Sequence, residues 1–114
     1  MAYGTRVNFE PVREAAFGAI GATYAEVGTA TTDYTRIINV VNRSDAEVYV
    51  SLDGVNDHIR LGVNSFQLFD FTSDKVNDAG FFIAKGTIFY AKRVSGAPTT
   101  GSLWIEVVYA TGGV

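Results

Sequence analysis

Ala46-Glu-Val-Tyr-Val-Ser-Leu52 alternates strictly: Ala46, Val48, Val50 and Leu52 fall on one side of an extended chain, and Glu47, Tyr49 and Ser51 on the other. Period-two alternation of this kind is the mark of a strand with one buried face. Immediately upstream, Thr35-Arg-Ile-Ile-Asn-Val-Val-Asn42 is apolar on both faces near its centre, as expected of an interior strand. Between the two, Asn42-Arg-Ser-Asp45 groups turn-forming residues and predicts a hairpin. Asp53-Gly54 then ends the second strand with a dipeptide that tolerates positive φ.

The same reading extends outward in both directions. Residues 58–63 form a short apolar run. Residues 65–71 place Phe66 and Leu68 opposite Gln67, Phe69 and Phe71. A polar stretch, residues 72–78, predicts an exposed loop. Residues 80–84 and 87–93 read as strands separated by Lys85-Gly86, and residues 95–101, with Pro98 and two glycines, as a loop. The chain closes on a long strand in which Leu103, Ile105, Val107 and Tyr109 alternate with Trp104, Glu106 and Val108. Upstream, residues 17–27 supply a further strand, and residues 11–19 have room for two helical turns at most. Seven or eight short strands at these spacings predict an all-β fold, a single antiparallel β-sandwich of jelly-roll-like form. Residues 17–114 make that domain. Residues 1–16 lack the strand pattern yet carry Tyr3, Val7, Phe9 and Val12, so they are expected to form an extended N-terminal arm that packs on its own sandwich or on a neighbour.

Composition narrows the function classes. A chain of 114 residues and 12.3 kDa holds one domain and one core. Without cysteine it has no disulfide framework, thiolate metal site or thiol nucleophile. Its net charge of −3 opposes the basic footprint of a nucleic-acid binder. The opening residues have no basic stretch leading into an apolar run, and no apolar segment reaches membrane-spanning length, so a soluble chain made in a cytoplasm is expected. Asn42-Arg-Ser44 matches a glycosylation sequon but reads as a turn in that setting.

Candidate chemistry is sparse. Asp53, Asn56 and Asp57 offer oxygen ligands of the kind calcium takes, but they lack the alternation and the twelfth-position Glu of an EF-hand loop, so a hairpin turn is the expectation. Asp70, Asp74 and Asp78 recur every four residues at the end of a strand and read as a solvated loop. No pair among the acidic residues is singled out for glycoside hydrolysis, which needs two carboxylates facing each other across a cleft. His58 is the one histidine, expected to be an exposed or satisfied side chain. Gly18-Ala-Ile-Gly21 is no phosphate loop, lacking the Lys-Ser/Thr that should follow. Trp104 and the tyrosines could stack on sugars, although aromatic residues at strand alternation more often serve a core or an interface. No catalytic, metal-binding or cofactor-binding residue is assigned, and no cofactor is expected.

What is left over is surface apolarity. The strands around residues 37–41, 66–71 and 103–109 carry large residues on both faces, whereas a small sandwich buries only the inner ones. Excess apolar faces mark subunit contacts. Tyr3, Val7, Phe9, Val12, Phe69, Phe71 and Trp104 are therefore the expected interface residues of a building block that forms oligomers.

The order of the segments also resembles a known group of proteins. Tyr3-Gly-Thr-Arg-Val-Asn-Phe-Glu-Pro-Val-Arg13, Arg36-Ile-Ile-Asn-Val-Val-Asn42, Ser44-Asp-Ala-Glu-Val-Tyr-Val-Ser-Leu-Asp-Gly-Val-Asn-Asp-His58, Gly86-Thr-Ile-Phe-Tyr90 and Pro98-Thr-Thr-Gly-Ser-Leu-Trp-Ile-Glu-Val107 resemble the small β-sandwich virion proteins of tailed bacteriophages. The resemblance spans nearly the whole chain and rests on turn and strand chemistry. It implies a non-enzymatic role in the particle. A capsid cement or decoration protein bound to the major capsid protein is its first implication, and a head–tail connector or tail accessory protein the alternative. It further implies assembly in a bacterial cytoplasm and a final location in the virion, with neither nucleic acid nor membrane as partner. A carbohydrate-binding β-sandwich module is the second alternative.

Overall fold

The computed structural model describes residues 6–70 and 83–111. Among these residues nine strands follow in order: β1 (Arg6–Phe9), β2 (Arg13–Ala16), β3 (Ala25–Glu26), β4 (Thr35–Asn42), β5 (Val48–Ser51), β6 (Ile59–Leu61), β7 (Ser65–Asp70), β8 (Tyr90–Arg93) and β9 (Ser102–Thr111), with one 3-10 turn at Phe17–Ala19. Among the described residues no helix is long and apolar enough to cross a membrane.

The strands form two antiparallel sheets. One has the order β1-β9-β4-β7, with β2 also on β9; the other has the order β3-β8-β5-β6. All-β architecture in two packed sheets is thus what the alternation predicts. The core lies between them. Ile38 and Val40 of β4 and Leu103, Ile105 and Val107 of β9 face Val48 and Val50 of β5, Leu61 of β6 and Phe89, all of them buried. β4 is an interior strand with β9 on one side and β7 on the other.

The predicted hairpin between β4 and β5 is not formed. β4 pairs with β7 and β9, while β5 pairs with β6 and β8, so residues 43–47 carry the chain from one sheet to the other. Asn42 makes this corner. Its side chain is buried, its Nδ2 donates to the carbonyls of Ala46 and Gly62 at 2.9 Å each, and its Oδ1 accepts from the N–H and hydroxyl of Ser44 at 3.0 and 2.7 Å. One amide thereby satisfies the backbone at two crossings between the sheets, β4 to β5 and β6 to β7. Asn42→Ala leaves the buried Ser44 N–H without its acceptor, while the Ala46 and Gly62 carbonyls keep the hydroxyls of Ser44 and Ser65 at 3.0 and 2.7 Å. A buried polar group left unpaired costs about 1–3 kcal/mol. Urea unfolding of the variant is expected to show a lower midpoint with an unchanged slope.

Strands elsewhere are shorter than their patterns. Residues 17–27 contribute only β3, and residues 87–93 only β8, because Thr87 and Phe89 bond irregularly to Thr31 and Val27 instead of joining a ladder. Of residues 80–84, Ile83 forms an isolated bridge with Thr35; the rest of the loop and strand expected over 72–82 lies outside the described residues.

Candidate functional site

The outer face of the β1-β9-β4-β7 sheet follows from its register. Val41 stands between Phe66 and Trp104, with Glu14 beyond. Asn39 stands between Leu68 and Glu106. Ile37 stands between Asp70 and Val108, with Phe9 beyond. Strands bury one face against the core, so every second residue here points outward. Phe9 (74% exposed), Phe66 (66%), Leu68 (61%) and Val12 (51%) are large apolar side chains left open on or beside this one face. A groove of about 320 Å³ runs between Phe9, Val12, Ile37, Leu68 and Val108, with Asn39 and Glu106 in its lining. Asn39 Nδ2 donates to Glu106 Oε1 at 2.9 Å.

Phe9 and Val12 are held on this face by a broken edge strand. β1 and β2 both pair antiparallel with β9, against its last and first residues respectively. Between them, Glu10 N–H still reaches Val107 O at 3.0 Å, and Pro11, which has no N–H to offer, sits where the pairing breaks. Below the break lies a buried ion pair. Arg13 Nη2 meets Glu10 Oε1 at 2.6 Å with both side chains more than nine-tenths buried. Arg13 Nε donates to Thr29 O at 2.9 Å, and Glu10 Oε2 accepts from the N–H and hydroxyl of Thr32 at 3.1 and 3.2 Å. The guanidinium lies over the Phe89 ring, 5.7 Å from its centroid. Burial alone would raise the Glu10 pKa. Arg13 and the Thr32 donors outweigh it and hold the carboxyl below its ordinary value.

The outer face of the other sheet is of the opposite character. Tyr49 of β5 stands between Arg60 and Lys92. Lys92 Nζ lies 4.6 Å from the Tyr24 ring centroid and 5.7 Å from that of Tyr49, and Arg60 Cζ lies 5.9 Å from Tyr49. Lys92 also reaches Asp57 at 3.5 Å, Arg60 reaches Glu47 at 2.6 Å, and the Tyr24 hydroxyl donates to Asp57. Burial, then the Asp57 carboxylate, push the Tyr24 phenol above its usual pKa, while the phenol and Lys92 keep Asp57 low. Cations already cover these tyrosine rings, the surfaces on which a sugar would stack.

The remaining candidates are placed as follows. Asp53 is consumed by its own loop: Oδ1 accepts from Val55 N–H, Asn56 N–H and the Ser51 hydroxyl, and Oδ2 from Asn56 Nδ2, all within 2.8–2.9 Å. Those bonds hold its carboxyl far below the usual range. His58 is exposed, and its Nδ1 accepts the Leu52 N–H at 3.0 Å. Among the expected interface residues, Phe9 and Val12 are open on or beside the apolar face and Trp104 stands half-buried within it. Phe69 differs from expectation: it sits across from buried Ile38 and packs, half-buried, against the core. Val7 pairs with Ala110 in β1. Tyr3, Phe71 and the side chain of Val7 lie outside the described residues. Phe66 and Leu68 take the outward role on β7. The signal for them was Asp70, which shares their face at period two and whose carboxylate belongs in water.

Comparison of the chain with protein families, curated proteins and solved structures finds no match.

Proposed function

We propose that the protein is a non-enzymatic structural component of a tailed-bacteriophage virion, a cement or decoration protein of the head shell, docked through the outer face of its five-stranded sheet. The observation that carries this reading is the concentration of Phe9, Val12, Phe66 and Leu68 on and beside one face, while the opposite face is laced with ion pairs. Contiguous exposed apolar surface of this kind serves contact with another macromolecule. The strand order supports a jelly roll: with β1 and β2 taken as one strand, eight strands fall four to a sheet, and every connection but β5 to β6 passes from one sheet to the other. Residues 1–16 act in this reading as the arm, whose described part is laid along β9 where β1 and β2 pair. Many copies, each bridging neighbouring coat subunits, add modest contacts into strong reinforcement through high effective concentration. A connector or tail position uses the same face in fewer copies.

Particles purified on a density gradient from the cells that make them test the proposal. The protein is expected to co-migrate with coat protein at a fixed stoichiometry, in hundreds of copies for a shell position and about a dozen for the tail axis, numbers that follow from the symmetry of the two sites. The double variant Phe66→Asp/Leu68→Asp places two charges on the exposed face and leaves the core untouched, so it should keep the wild-type melting temperature within a few degrees and lose particle association. Wild-type protein confined to the soluble fraction would falsify the assignment.

A further inference from the structure

The apolar face has a carboxylate in its middle. Glu106 stands in the central row, with Asn39 beside it and Leu68 beyond, the Phe66–Val41–Trp104 row on one side and the Ile37–Val108–Phe9 row on the other. It is exposed, accepts one hydrogen bond from Asn39 Nδ2, and makes no ion pair among the described residues. A partner that covers the surrounding aromatic and aliphatic side chains must also cover Glu106. Taking a carboxylate out of water without a counter-charge is strongly unfavourable. The groove beside it is walled by Phe9, Val12 and Leu68, which suits the alkyl stem of a long side chain ending in a cation.

Resting on the docking reading above, we infer that the occupant of this face is a protein surface that inserts an arginine or lysine side chain into the groove, its cationic head on Glu106 and its stem between Phe9 and Leu68. Charge complementarity selects this occupant over a second copy of the chain. A two-fold contact centred on this face would bring two copies of Glu106 together, and like charges across an interface are penalised. The carboxylate thus supplies the register and specificity that an apolar face lacks by itself.

A displayed random-peptide library selected on the immobilised protein supplies the probe, with affinities of the recovered synthetic peptides measured calorimetrically. The expected consensus is a basic residue flanked by apolar ones. Glu106→Gln, which keeps the shape and the Asn39 contact, should weaken binding at least tenfold, and so should replacing the peptide's arginine by citrulline; the two changes together should cost little more than either alone. Peptides without a basic residue, affinities within twofold for Glu106→Gln, or a selection that recovers no peptide sensitive to Phe66→Asp/Leu68→Asp each overturn the inference. So does light scattering that shows a dimer lost in that double variant. Binding that is lost in Phe66→Asp/Leu68→Asp and indifferent to Glu106→Gln removes the cation alone and leaves the docking reading standing.

Discussion

Arg13→Met is expected to cost the fold roughly 3–5 kcal/mol, the range found when one partner of a buried ion pair is removed. The loss has three parts. Glu10 keeps its charge in the interior with only Thr32 to solvate it. The carbonyls of Thr29 and Ala30 lose their donor. The edge strand, tied to the body through this pair, is freed to peel from β9. At about 4–8 °C per kcal/mol for a domain near this size, the melting temperature should fall by well over 10 °C, and the amides of β1 and β2 should exchange fastest. The pH dependence separates this account from simple loss of packing. In the wild type the Glu10 carboxyl is held below its ordinary value of 4.5. Its contribution is therefore complete above that value and is lost as pH falls through the lower folded-state pKa. With Arg13 gone, burial is opposed by the Thr32 donors alone and the Glu10 pKa rises relative to wild type, so the variant takes up its proton first, and its deficit relative to wild type should narrow as pH drops toward 4. A deficit constant from pH 7 to pH 4 would show that the pair contributes nothing electrostatic. Glu10→Gln added to Arg13→Met should recover part of the stability at neutral pH for the same reason.

Strand existence was legible where one face is apolar and the other is not. β5 and β9 alternate so cleanly that their buried apolar residues, Val48 and Val50, Leu103, Ile105 and Val107, can be read directly from the chain, whereas Ser51, on the side of Glu47 and Tyr49, is buried against that reading. Sheet membership was not legible. The turn-formers between Asn42 and Asp45 look the same whether the chain doubles back beside itself or crosses to the other sheet. The choice is made by the non-local bonds of Asn42 to Gly62 and of Asp45 to Thr99 and Thr100. The Glu10–Arg13 pair was hidden for a similar reason: its value depends on a loop at Thr29–Thr32 that no local pattern connects to it.

The candidate face was legible in kind and only partly in residues. Excess apolarity on β4, β7 and β9 follows from composition, and Phe9, Val12 and Trp104 from their spacing. β7 misleads because neither of its faces is uniformly apolar: Ser65, Gln67 and Phe69 share one side, Phe66, Leu68 and Asp70 the other. Its register against β4 decides, placing Phe69 beside Ile38 in the core and Leu68 beside Asn39 outside. Glu106 is an ordinary polar position in the alternation of β9, and its place at the centre of an apolar patch exists only once four strands are side by side.

Gly101→Ala should be the most damaging glycine-to-alanine substitution among the described residues, and Gly86→Ala shows why. Both glycines have positive φ, +84° and +86°, where an L-residue pays about 1–2 kcal/mol of backbone strain. Around Gly86 a Cβ meets nothing within 4 Å, so strain is the whole cost there. At Gly101 the added carbon would sit inside the carbonyl of Arg43, with Ser44 Cα at 2.9 Å. Those are backbone atoms of the β4–β5 crossing and have no rotamer by which to yield. Overpacking of this kind adds about 1–3 kcal/mol, and the crossing must shift where Arg43 N–H meets Ser102 O at 2.9 Å and Phe17 N–H meets Gly101 O at 3.0 Å. Displacing it also strains the Asp45 carboxylate, held low in pKa first by the hydroxyl and then by the N–H of Thr99. Denaturant unfolding should therefore rank wild type above Gly86→Ala and Gly86→Ala well above Gly101→Ala, with a total loss of about 2–5 kcal/mol at Gly101 from strain and overpacking together. Equal losses at the two positions would mean that backbone conformation alone makes Gly101 necessary and that the corner at Arg43 yields freely.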